Sequence, residues 1–264
     1  MRIILLLLFL HISAVGIAFF IPGRLGFVDS YALGMEKVVI SLMEKKDLKQ
    51  TYQGDHPDHY TANTVSFSEL TPYLDELKPG TLFFSDQGGA VSARFVEGKW
   101  KHCGIYIGTM DQIQRFWGEE HALVQTLQEY YTSEDEYLIF DSSYEYGVAI
   151  HSIRELAGLS DISSLRTMLL FEYKLSKDLW SQQVLSGVKH LGKEYDYFFV
   201  LDNDDALYCS EFLYYMLPLE RSKFIPSKKI LGREFLLPSD LVQAISGVGV
   251  ASGDFIHKGT ISKQ

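Results

Sequence analysis

Two short segments, far apart in the chain, constrain this sequence more than anything else in it. One runs Trp100-Lys101-His102-Cys103-Gly104-Ile105-Tyr106-Ile107-Gly108, the other Tyr208-Cys209-Ser210-Glu211-Phe212. The first places a histidine at the mouth of an apolar run that reads as a buried strand. The second places a cysteine at the opening of an apolar-periodic stretch that reads as a helix. A strand-held imidazole can accept a thiol proton, and a helix N-terminus favours the resulting thiolate, so the pair supplies the two parts of a thiol hydrolase. Along the chain the histidine comes before the cysteine.

Cys103 and Cys209 are the only two cysteines, which rules out a disulfide-rich scaffold or a four-thiolate zinc site. A disulfide between them would consume the nucleophile. On a strand, Cys103 points to the face opposite His102, toward a core, and reads as a small buried apolar residue. Cys209 follows an acidic turn and reads as the working thiol, near the surface. At 264 residues, 47% hydrophobic and 22% charged, the chain can build one domain with a real core plus appendages. A formal charge of −10 lacks the basic footprint of a nucleic-acid binder, so no nucleic-acid partner is expected. Nothing calls for a metal or other cofactor. Asp55-His56-Pro57-Asp58-His59 has metal-friendly side chains but no third ligand set, and reads as a solvated loop. Asp202-Asn203-Asp204-Asp205 lacks the glycine and distal glutamate of a calcium loop and reads as a cap for the Cys209 helix.

The N-terminus carries Arg2 before an almost unbroken apolar run from Ile3 to Ile21, ended by Pro22-Gly23-Arg24. A basic n-region followed by such an h-region is an export signal. Two readings stand: a signal peptide cleaved around Gly16-Ile17-Ala18, or an uncleaved signal-anchor of about spanning length that would associate the protein with a membrane. Either way the rest of the chain is expected outside the cytoplasm, in the periplasm or cell envelope.

Residues 1–22 are thus the leader, 23–75 an N-terminal helical and loop segment, and 76–264 the main domain. Helical spacing is expected over 34–48, a polar loop over 54–63, and a short helix or turn over 66–77 with Ser66 and Glu69 as a capping box. Lys78-Pro79-Gly80 breaks the chain before strands at 81–84 and 104–107. Residues 111–131 have helical spacing in Leu123, Leu127 and Tyr130 and also fit an insertion between strands. Further strands are expected at 137–141, 147–153 and 166–173, and helices at 179–191 (closed by Gly192), 208–217 and from Pro238. This is an α+β domain with a mainly antiparallel sheet and packed helices.

Five segments fall in the same order as in the YiiX/YebB-like proteins, which this chain resembles over about residues 76–245. They are Lys78-Pro79-Gly80-Thr81-Leu82-Phe83-Phe84; His102-Cys103-Gly104-Ile105-Tyr106-Ile107-Gly108; and Ile139-Phe140-Asp141 followed by Gly147-Val148. The others are Leu191-Gly192-Lys193-Glu194-Tyr195-Asp196-Tyr197 and Tyr208-Cys209-Ser210-Glu211. That family is the circularly permuted branch of the NlpC-type papain-like cysteine peptidases, and permutation accounts for the His-before-Cys order. The resemblance implies a permuted papain-like fold with Cys209 as nucleophile and His102 as general base. Its third polar residue, often Glu, maps onto Asp141, with Glu145 as the alternative. Tyr195 and Tyr208 match the aromatic lining near the nucleophile, equally explained as structural packing. The implied activity is hydrolysis of a peptide or N-acyl amide, with cell-wall peptide a natural target for an exported enzyme. Two rivals remain open on the same fold: a lipid acyltransferase or esterase like lecithin retinol acyltransferase, and an inactive binding module.

Overall fold

A computed structural model describes Ser13 and residues 64–87, 96, 98–157, 165–196, 199, 201, 205–217, 228–230, 233–246 and 255–262; for 228–230, 233–234 and 255 it describes the backbone alone. The chain divides into two units, Met1–Asp55 and His56–Gln264, and all described residues but Ser13 belong to the second. The leader, the expected helix over 34–48, the loop over 54–63 and Asp202 to Asp204 lie outside the described residues.

Within the second unit the elements run α1 (Phe67–Leu74), β1 (Leu82–Gln87), β2 (His102–Gly108), α2 (Met110–Trp117), α3 (Ala122–Leu127), a 3-10 turn (Gln128–Tyr130), β3 (Leu138–Ser143) and β4 (Gly147–Ser152). They continue with α4 (Ile153–Ala157), β5 (Leu165–Tyr173), α5 (Lys177–Val188), α6 (Cys209–Met216), β6 (Lys228–Ile230), β7 (Arg233–Phe235), α7 (Pro238–Ile245) and β8 (Phe255–Ser262). Six strands form one antiparallel sheet in the order β4-β3-β2-β1-β5-β8, and β6 pairs with β7 as a separate ribbon.

Strand alternation divides the core between the two faces of the sheet. Cys103, Ile105 and Ile107 of β2, with Phe84, Phe140 and Val148, pack under α2, α3, α5, α6 and α7. Phe83, Tyr106, Ile139, Met168 and Leu170 face the other way, against Leu70 and Leu74 of α1 and Ile153 and Leu156 of α4. The boundary at 75/76 therefore falls after a helix whose apolar face is part of the same core. Ser66 caps α1 as expected, with a reciprocal bond from its backbone N–H to Glu69 Oε2 at 2.8 Å.

The stretch over 111–131 is the helical connection α2–α3 between β2 and β3. The helix expected over 179–191 ends earlier, at Val188, and Gly192 is not its cap. The backbone N–H of Gly192 donates instead to Val148 O at 2.9 Å, fastening this turn to the edge strand β4. Gly147, with φ +65°, completes that junction: a Cβ there would stand 2.1 Å from Lys193 O.

Candidate active site

The register of the three strands β2, β3 and β4 builds the site. Asp141 on β3 lies directly opposite Gly104 on one side and Ala149 on the other. His102 lies two residues from Gly104, and His151 two residues from Ala149, so both stand on Asp141's face at diagonal positions. The small opposite residues leave room for both rings to lean over the carboxylate. A Cβ on Gly104 would stand 2.7 Å from Asp141 Cβ and 2.8 Å from Phe83 Cζ. His102 Nε2 donates to Asp141 Oδ2 at 2.8 Å, and His151 Nε2 donates to Oδ1 at 2.9 Å. Asp141 is fully buried, as a carboxylate is only when it is paired.

Helix α6 brings in the thiol. Phe212 lies against Phe140, ring centroids 4.7 Å apart, clamping the helix to β3. A fully buried aromatic contributes about 1.5–3 kcal/mol from area removed from water, which makes this contact a main anchor of the helix. Two hydroxyls set its start: Ser142 Oγ donates to Leu207 O at 2.5 Å, and Ser210 Oγ donates to Leu236 O at 2.6 Å. Cys209 is the first residue of the helix, and His102 and Cys103 are the neighbours that act most strongly to ionise its thiol. With His102 Nε2 given to Asp141, Nδ1 is the ring nitrogen left for the thiol.

The electrostatics follow from these contacts. Burial pulls the His102 pKa down, but the charge and hydrogen bond of Asp141, with help from Cys209, outweigh it and carry it up to about 10. Burial works to raise Asp141, and the His151 and His102 rings overcome it, holding the carboxyl well below its usual range. The hydrogen bond from Cys103 is the leading influence on Cys209; with His102 it overcomes burial and holds that thiol well below its ordinary value. Cys103 is pushed well above its own, by burial first and then by Cys209. One thiol is therefore disposed to ionise and its neighbour to stay protonated and donate to it.

Two expectations need correction. Cys209 is not near the surface: it is 2% exposed, because the first turn of α6, from Cys209 to Phe212, is buried between the sheet and its neighbouring helices. Cys103 is the buried strand residue expected, but the core face it points to is the one α6 covers, so it also meets Cys209.

A cavity of about 150 Å³ opens beside the histidines, lined by Lys101, His102, Asp141, Tyr146, His151 and Tyr195 among others. Tyr195 reaches it. Tyr208 does not: it is 1% exposed, packs on Phe199, and its hydroxyl accepts the Leu236 N–H at 3.3 Å. Glu145 lines the same cavity, where Tyr144 donates to it at 3.0 Å, while Asp141 is the carboxylate on His102. His151 was not foreseen. It sits in an ordinary strand pattern, and only the register against Asp141 marks it. Among the described residues, no group of three or more His, Cys, Asp or Glu side chains is placed to hold a metal ion.

An antiparallel sheet with a histidine strand preceding a cysteine helix is the layout of a permuted papain-like domain. Over residues 76–263 the chain belongs to the family described as permuted papain-like amidase enzymes, YaeF/YiiX, C92. A solved structure described as the metalloprotein yiiX from Escherichia coli O157:H7 is similar to it at 13% identity, covering 71% of this chain and 96% of that one with a TM-score of 0.35. No curated protein matches the chain.

Proposed function

We propose that this amidase-family protein is a thiol-dependent hydrolase of amide bonds in a peptide or N-acyl amide, using Cys209, His102 and Asp141. The observation that carries the reading is the His102–Asp141 hydrogen bond at 2.8 Å together with Cys209 at the first position of α6, its thiol held low by Cys103 and His102.

The Cys209 thiolate attacks the acyl carbon and forms a C–S bond, while the first-turn amides of α6 receive the developing oxyanion. Imidazolium His102 gives its proton to the leaving nitrogen as the C–N bond breaks. Neutral His102 then takes a proton from water, whose oxygen attacks the thioester and releases the acid, restoring thiolate and imidazolium. Asp141 fixes the ring and stabilises its charged form. Tyr195 lines the cavity beside His102. The apolar run before Pro22 exports the protein to the periplasm or cell envelope, where cell-wall peptide is a natural substrate; it either leaves as a cleaved signal peptide or stays as an anchor.

The test is a hydrolysis assay on matched amide, ester and phospholipid substrates with the wild type, Cys209→Ala and His102→Ala. Amide turnover lost in both variants, by about 10²-fold or more for His102→Ala, supports the reading. Turnover of esters or phospholipids alone would move the protein to acyl transfer, and undiminished amide turnover in Cys209→Ala would refute it.

A further inference from the structure

We propose that His151 is a positioning residue for His102, acting through the carboxylate they share; this rests on the hydrolase reading above. Asp141 offers one oxygen to each ring, Oδ2 to His102 and Oδ1 to His151, at 2.8 and 2.9 Å. A carboxylate held at one oxygen can turn about its Cβ–Cγ bond, a broad torsion with little intrinsic preference. Held at both, it cannot turn without breaking a bond to one of its half-buried partners. His151 thereby fixes the direction in which Oδ2 presents itself to His102, and so where the other ring nitrogen of His102 points.

The surroundings of His151 suit this task. Its ring is framed by Asp141 on β3, Glu155 on α4, Tyr146 in the β3–β4 turn and His102 across the carboxylate. Its Nδ1 lies 3.1 Å from Glu155 Oε2, close enough for an ion pair though not aligned as a hydrogen bond. A ring between two carboxylates holds its second proton, and its pKa is raised despite burial. The cation then offsets the charge on buried Asp141 and keeps it ionised.

Repulsion between two imidazolium rings works the other way, favouring a neutral His102 while His151 is charged. Each ring touches the carboxylate directly but meets the other only across it, so the attraction outweighs the repulsion. The electrostatics follow the same order: His151 is the leading charge keeping Asp141 ionised, while His102 acts on His151 less than Asp141 and Glu155 do. Removing His151 should therefore loosen Asp141 and weaken its hold on His102.

The experiment compares the full chain with His151→Ala and His151→Gln; the glutamine amide can still donate to Oδ1 without a charge. Iodoacetamide labelling of Cys209, resolved by peptide mass spectrometry, is followed against pH, with thermal stability measured alongside. The His102 titration is followed by NMR. In His151→Ala, labelling near about pH 6 should fall roughly tenfold and the His102 pKa should drop from about 10. His151→Gln, which keeps the hold on Oδ1 but loses the charge, should be impaired less than His151→Ala in both. An unchanged profile in His151→Ala, or a glutamine variant as impaired as alanine at equal stability, overturns the proposal. An ordinary thiol titration of wild-type Cys209 would instead refute the hydrolase reading, and the His102 titration would still decide what His151 does.

Discussion

A thiolate and an imidazolium buried together are stable only if their surroundings replace the water they have lost. Here Asp141 serves the cation and Cys103 the anion, and neither partner is exposed. The sign of the resulting pH dependence is set by His102, whose pKa lies above its ordinary value of 6.5. The stability it contributes is complete below about 6.5 and is lost as pH rises through about 10. Asparagine at position 141 keeps the shape and removes the charge. Asp141→Asn should lower labelling and turnover near neutrality by about 10²–10⁴-fold. It should also move the alkaline limb from about 10 toward the ordinary imidazole range and abolish the stability loss over that interval. A pH–rate profile with parallel denaturation curves checks both, and an alkaline limb left near 10 would show that another group supports the ring. At this scale the sequence pointed to Cys209 and His102 through their local settings, and to Asp141 through the resemblance, with Glu145 as the alternative. The thiol–thiol contact was hidden, because strand alternation says which face Cys103 takes and not which residue of a remote helix covers it.

Between elements, the site depends on three neighbouring strands holding one register. A slip of one residue would send Asp141 to the opposite face. The small residues beside it are therefore part of the site although they carry no chemistry. Gly104→Ala would place a methyl against Asp141 and Phe83 at distances real carbon atoms do not adopt. The expected outcome is a loss of about 1–3 kcal/mol in stability from overpacking. A larger proportional loss in Cys209 labelling should accompany it, as the carboxylate is pushed off His102. Ala149→Gly, which adds nothing, provides the control for a change on the other flank. Equal labelling by wild type and Gly104→Ala would show that the close approach is not needed. The strands themselves were readable, since 102–108, 138–143 and 165–173 carry apolar runs of Ile, Leu, Phe and Tyr. The β2–β3 pairing was not, because two helices rather than a hairpin join these strands. His151 stayed unseen because it sits in an ordinary strand pattern, and only its register against Asp141 marks it.

At the scale of the whole molecule, both sheet faces are covered and the histidine strand lies near the middle of the sheet, with the cysteine helix packed across it. The α+β class was legible from the sequence of elements, and the permuted order from the resemblance to the YiiX/YebB-like proteins. The ribbon β6–β7 and the edge strand β8 were not. The first is built from two three-residue strands, too short for a period to register. The second runs Ile256-His257-Lys258-Gly259-Thr260, where exposed polar residues and a glycine suit an edge and erase the alternation. The central claim, that this architecture exists to run acyl chemistry on one buried thiol, is tested most directly by trapping the intermediate. Full-length protein is mixed with activated N-acyl amides, quenched in acid within a turnover and digested for peptide mass spectrometry. The account predicts an acyl thioester on the Cys209 peptide, absent in Cys209→Ala and accumulating more slowly in His102→Ala. An acyl group found on Cys103 or on another residue, or amide turnover persisting in Cys209→Ala, would contradict it.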